Sequence, residues 1–113
     1  MIRVGLVGCG RWGRFILRDL ISLGAEVAVA DISEERRAEA LTSGAVSAHD
    51  GSESLPIVDA YVVAVPTIEH ANVLEALISR GLPIFVENPM TCNMDDAARI
   101  VSAAPNQVFC MDK

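Results

Sequence analysis

With 113 residues and a hydrophobic fraction of 51%, the chain has enough material for one domain with a filled core. A net charge of −6 without any basic run argues against nucleic acid as the main partner. No apolar stretch reaches the roughly 18 residues of a membrane span, the start Met1-Ile2-Arg3 runs into a strand pattern rather than a signal peptide, and three cysteines (Cys9, Cys92, Cys110) without metal or redox spacing suit a reducing cytoplasm.

The pattern then alternates strand and helix. Ile2 to Val7 is an apolar strand. Arg11 to Ser22 is helical, with Phe15, Ile16, Leu20 and Leu23 on the apolar side and Gly24 as the stop. Glu26 to Ala30 reads as a second strand. Ser33 caps a helix to about Thr42, which Gly44 ends. Residues 45 to 56 are ambiguous, with a short edge strand near Val46-Ser47-Ala48 and then a loop; His49 in this stretch receives no role. Ala60 to Val65 is the most apolar run, hence a central strand buried on both faces. Thr67 to Arg80 is a helix with Val73, Leu74, Leu77 and Ile78 inward and Gly81 at its end. Pro83 to Val86 is the next strand. Asn93 caps a helix to about Ala104, with Asp96 at the capping-box position, and Gln107 to Met111 is a last strand. Repeated strand–helix crossovers predict an α/β fold, a three-layer, doubly wound parallel sheet of order 3-2-1-4-5-6.

Gly8-Cys9-Gly10-Arg11-Trp12-Gly13 lies between the first strand and the first helix. This is the place of a pyrophosphate-binding turn: Gly8 for the bend, Gly10 for close approach of a phosphate to the backbone, Gly13 for tight helix–strand packing. Free N–H groups and the helix dipole favour an anion there. The alternative is a tight turn that binds nothing. Asp31 weakens that alternative, because it ends the second strand 18 positions beyond Gly13, near the roughly 20-residue spacing of the acid that bonds ribose hydroxyls. Such a carboxylate favours NAD over NADP. Arg36 and Arg37 keep NADP open, since an arginine just past this strand can pair with a 2′-phosphate; their other reading is the solvated face Glu34-Glu35-Arg36-Arg37. Cys9 reads as a small residue at an unconstrained position of the loop rather than a working thiol. In the predicted topology the distinctive residues gather at the carboxyl ends of the strands: the glycine loop, Asp31, Pro66-Thr67 and Glu87-Asn88-Pro89.

The strings G-L-V-G-C-G-R-W-G (5–13), A-D (30–31), D-A-Y-V-V-A-V-P-T-I-E-H (59–70) and A-L-I-S-R-G-L-P-I-F-V-E-N-P-M (76–90) resemble the glucose-fructose oxidoreductase / inositol dehydrogenase (Gfo/Idh/MocA) family. The resemblance runs from Ile2 to about Phe109. It implies the N-terminal NAD(P)-binding Rossmann domain of a sugar or polyol oxidoreductase. It also implies cofactor contacts from Gly8, Gly10, Arg11, Trp12, Gly13, Asp31, Pro66, Thr67, His70, Glu87, Asn88 and Pro89, and no metal. Trp12 would stand near the nicotinamide-proximal phosphate, or else pack on the next strand end. His70 would approach the adenosine or ribose side, or else be a partly exposed histidine at a helix start.

Two departures bear on catalysis. The family's E-K-P signature reads Glu87-Asn88-Pro89. Asn88 donates and accepts hydrogen bonds but is not ionisable, so it offers no general acid or base where the family has lysine. That leaves no catalytic residue assigned, and keeps a non-catalytic, redox-sensing or scaffold module as the alternative to an enzyme part. The chain also ends where the family continues into a substrate domain. It is therefore expected to be the N-terminal fragment of a longer oxidoreductase, inactive by itself. Its uncovered apolar face would then drive homo-oligomer formation.

Overall fold

The computed structural model describes residues 1–87, 94–103 and 106–111. In chain order the elements are β1 (Arg3–Val7), α1 (Gly13–Ser22), β2 (Glu26–Ala30), α2 (Glu34–Thr42), β3 (Ser47–His49), a single 3₁₀ turn (Ser52–Ser54), β4 (Ala60–Val63), α3 (Thr67–Ile78), β5 (Ile84–Glu87), α4 (Met94–Ala103) and β6 (Val108–Met111). The six strands form one sheet of order β3-β2-β1-β4-β5-β6. Every pairing is parallel, as the predicted doubly wound arrangement requires. At the centre, Leu6 of β1 stands between Val29 of β2 and Val62 of β4. The order reverses there, between β1 and β4, and a crevice opens at the strands' carboxyl ends.

Alternation along the strands feeds two cores. Tyr61, Val63, Ile84 and Val86 pack with Leu74 and Leu77 of α3 and Ile100 of α4. Leu6, Val27, Val29 and Val62 pack with Leu17 of α1 and Ala40 of α2 on the other face. β4 is buried along its whole length, which explains its unbroken apolar run.

The differences from the sequence reading are mostly at element ends. α1 starts at Gly13 rather than Arg11, because residues 11–12 complete the turn out of the loop. β4 stops at Val63, two residues early. β3 is shifted one residue, to Ser47–His49. β5 starts at Ile84 because Pro83 has no N–H for the ladder, although its carbonyl accepts from the Tyr61 amide at 2.9 Å. α3 ends at Ile78, leaving Arg80 beyond the helix. The predicted cap at Asn93 lies outside the described residues.

One correction concerns the phase of α1. Its buried side chain is Leu17, with Ile16, Leu20 and Ile21 packed alongside. Phe15 is 40% exposed and Leu23 82%. Phe15 instead lies beneath the guanidinium groups of Arg14 and Arg18, 5.7 and 5.2 Å from its ring centre. Leu23 falls at the C-cap, past the last turn that faces the sheet.

Leu17→Ala is therefore expected to lower the unfolding free energy by about 2–5 kcal/mol, and Phe15→Ala by less than about 1 kcal/mol. Urea denaturation of both variants checks this; equal losses would contradict the observed helix phase.

Candidate functional site

A cleft of about 770 Å³ opens at the carboxyl ends of the strands. Its floor is the glycine loop. Gly8 has φ +95°, a conformation that side chains oppose, and a Cβ there would stand 2.9 Å from the Ala64 carbonyl group. Its amide donates to the Ala30 carbonyl at 2.8 Å, which ties the end of β1 to the end of β2. Gly13 does not line the cleft. It sits behind the loop, where a Cβ would run into the Gly8 carbonyl oxygen. This is the close helix–strand approach expected of the third glycine.

Gly10, Arg11 and Trp12 line the cleft itself. Trp12 is the N-cap of α1 and makes no side-chain cap bond, and the first turn carries no acid. The Arg14, Phe15 and Ile16 amides are taken by the Gly10 and Trp12 carbonyls, so the donors left for an acceptor from outside are the loop amides of Gly10 to Gly13, with the positive end of the dipole behind them. A Cβ on Gly10 would come within 3.3 Å of the Arg36 guanidinium, so this glycine leaves room for the arginine as well as for a ligand. The Trp12 ring is half exposed at the cleft and meets Phe15 edge-on, at 6.2 Å between ring centres.

Asp31 is 7% exposed, and both carboxylate oxygens are engaged. Oδ2 accepts the Cys9 amide and Oδ1 the Ser33 amide, each at 2.8 Å. Ser33 Oγ in turn accepts the Arg36 amide and so caps α2, as predicted. The backbone of Asp31 is held too: its amide donates to the His49 carbonyl, and its carbonyl accepts from Arg37 Nη1, both at 2.9 Å. The solvated-face reading is therefore corrected for Arg37, which is half-buried, and holds for Arg36, which is exposed. Arg37 braces the Asp31 turn and Arg36 lines the cleft. Glu34 and Glu35 are exposed, as the solvated description has them.

The far side is built from the ends of β4 and β5. Pro66, Thr67 and His70 line it, with Glu87 at the end of β5. His70 is 2% exposed, not partly exposed as its position in the first helical turn suggested. Its Nε2 lies 2.8 Å from the Val65 carbonyl oxygen. A carbonyl only accepts, so Nε2 carries the ring proton and donates it, pinning α3 to the end of β4. Asn88 and Pro89 lie outside the described residues. A third wall, Asp50, Gly51 and Ser52, comes from the stretch that was ambiguous in sequence.

Cys9 is also corrected. It is buried, and packs in the core with Leu6, Leu17 and Val62. Burial pushes its thiol pKa up; the Asp31 and Glu39 carboxylates add to the rise, while Arg36 and Arg14 oppose it. The side chain is a protonated core residue rather than a nucleophile at the loop. Among the described residues no three His, Cys, Asp or Glu side chains are grouped to hold a metal ion. No described helix is long and apolar enough to cross a membrane.

Comparison with known proteins gives the family. The family described as "Oxidoreductase family, NAD-binding Rossmann fold" (GFO_IDH_MocA) matches residues 2–110. The chain belongs to the Gfo/Idh/MocA family. Within that family, the inositol 2-dehydrogenase of Arthrobacter sp. is 34% identical over 109 residues, covering 90% of this chain and 32% of that protein. The inositol 2-dehydrogenase of Streptomyces avermitilis is 36% identical over 110 residues, covering 91% and 32%. The chain thus spans about a third of the length of these curated relatives. Among solved structures, the WlbA dehydrogenase from Bordetella pertussis, in complex with NADH and UDP-GlcNAcA, superposes with a TM-score of 0.82 at 27% identity, over 97% of this chain and 34% of that one. A probable dehydrogenase from Thermotoga maritima gives 0.86 at 26% identity, over 98% and 35%. This Gfo/Idh/MocA chain is accordingly an NAD(P)-binding Rossmann domain.

With its pKa raised and its side chain buried, Cys9 should be alkylated more slowly than free cysteine near neutral pH. The rate should keep climbing at alkaline pH after free cysteine has levelled off. Site-resolved mass spectrometry after iodoacetamide pulses checks this; labelling of Cys9 as fast as free cysteine would contradict it.

Proposed function

We propose that this domain holds NAD(H) with the pyrophosphate over residues 8–13 and the adenosine ribose at Asp31, as the cofactor-holding part of an oxidoreductase for a small polyhydroxylated substrate of the sugar or polyol class. One observation carries the reading: an uncapped helix start, a glycine floor with no room for a Cβ at Gly8 and a buried carboxylate all border one cleft. The residues fit the dinucleotide. Gly10 to Trp12 supply N–H donors and positive potential for two phosphates. Each Asp31 oxygen accepts one backbone N–H, which leaves acceptor capacity on both for ribose hydroxyls.

The same carboxylate favours NAD over NADP. A negative charge such as a 2′-phosphate placed about 4 Å from it is opposed by roughly 1–4 kcal/mol, depending on how much water remains. Arg36 offsets part of this, so NADP is disfavoured rather than barred. Pro66, Thr67 and Glu87 would border the nicotinamide half, His70 would stand on the adenosine or ribose side, and the Asn88-Pro89 pair would follow directly on Glu87. The bound nicotinamide supplies the hydride chemistry, and the domain's own work is to bind and orient it.

The substrate class rests on the inositol dehydrogenases among the relatives. Asn88 favours a second reading, a binding module without turnover, because its amide neither takes nor gives a proton during alcohol oxidation. In the enzyme reading Asn88 orients the substrate through hydrogen bonds, and proton transfer falls to groups outside these 113 residues. The free thiols Cys9 and Cys110 are in keeping with a reducing cytoplasm as the compartment.

Titration with NADH and with NADPH, followed through Trp12 fluorescence, tests the cofactor reading. Saturable binding is expected for NADH, and binding about tenfold or more weaker for NADPH. No saturation with either, or tighter binding of NADPH, would contradict it.

A further inference from the structure

The wall formed by Asp50, Gly51 and Ser52 lies next to Asp31, because the Asp31 amide bonds the carbonyl of His49 just before it. The segment that carries this wall has little of its own to hold it. Its internal bonds are local, from the Ser54 amide to the Gly51 carbonyl and from the Leu55 amide to the Ser52 carbonyl. Such a segment opens easily unless something outside it closes it.

Arg80, just beyond α3, does so. Its Nη2 donates to the carbonyls of Ser52 and Glu53, each at 3.1 Å, and its Nη1 to the carbonyl of Leu55 at 3.4 Å. Nη1 also donates to Tyr61 Oη at 2.9 Å, and the guanidinium carbon stands 5.8 Å from the Tyr61 ring centre. Tyr61 is buried in the core and its ring lies over Gly5, where a Cβ would come within 2.8 Å of a ring carbon. A rigid five-donor fork thus links the central sheet to three carbonyls at the 3₁₀ turn beside the cleft.

We propose that Arg80 is a positioning residue for the dinucleotide cleft: it sets the place of the Asp50–Ser52 wall and with it the affinity for the adenosine half of the cofactor. The inference rests on the cofactor reading above. Arg80 touches no ligand in this account. Its effect passes through the wall it anchors.

Arg80→Met and Arg80→Lys, titrated with NADH and with ADP-ribose well below the unfolding temperature, test it. Arg80→Met should weaken both ligands by the same factor, about fivefold, with Arg80→Lys in between. Hydrogen exchange at the Ser54 and Leu55 amides should quicken in Arg80→Met while β1 stays protected. If the wild type binds neither ligand, the cofactor reading and this inference both fall. If the wild type binds and Arg80→Met binds equally well, the inference alone falls. Should Arg80→Met not fold, Arg80→Lys decides: weaker ADP-ribose binding supports the inference and unchanged binding overturns it.

Discussion

The carboxylate of Asp31 is the joint on which the rest of the site depends. It is nearly buried, and it accepts one amide from the loop after β1 and one from the loop after β2. Burying a carboxylate is costly unless its oxygens are bonded; here each takes a backbone N–H at 2.8 Å, a charge-assisted bond. The two loops are thereby locked to each other. That lock holds the Gly8 turn in place, sets the start of α2 through Ser33, and leaves Arg36 lying over Gly10. The carboxylate proposed to hold the ribose is thus also a structural tie, so any ligand meets a preformed acceptor rather than one it must order.

Other parts of the cleft are held by the same means, polar groups bonded to backbone rather than to each other. His70 is fixed to the Val65 carbonyl, Arg37 to the Asp31 carbonyl, and Arg80 to the carbonyls of Ser52, Glu53 and Leu55. Side chains that might look like catalytic candidates are thus largely committed to architecture. This suits a domain that binds and orients a cofactor. Asn88 carries the same lesson in sequence, standing where the family's E-K-P signature has its ionisable lysine.

The sheet order and the cleft's main residues were legible in the sequence, because their causes are local. Apolar runs mark the buried strands, and glycines mark both the helix stops and the turn between β1 and α1. The Asp31 spacing follows from one strand–helix–strand unit. Where the reading failed, the cause lay elsewhere in the fold. Phe15 looks like a core residue until the phase of α1 is set by Gly13 against Gly8 and Leu17 against the sheet. Arg37 looks solvated until Ser33 fixes the start of α2 and its guanidinium meets the Asp31 carbonyl. Cys9 looks unconstrained until its burial between Leu6 and Leu17 is seen. The Asp50–Ser52 wall had no signal of its own, since the residue that shapes it lies 28 positions away.

The central claim is that residues 8–13 and Asp31 form one prearranged dinucleotide site. Amide chemical-shift mapping by NMR during titration with NADH tests it most directly. The account predicts saturating shifts at Gly10 to Gly13, at Asp31 to Ser33 and at Asp50 to Ser52, with the amino-terminal ends of β1 and β2 unmoved. Shifts confined to some other surface, or none at the glycine loop at saturating NADH, would contradict it.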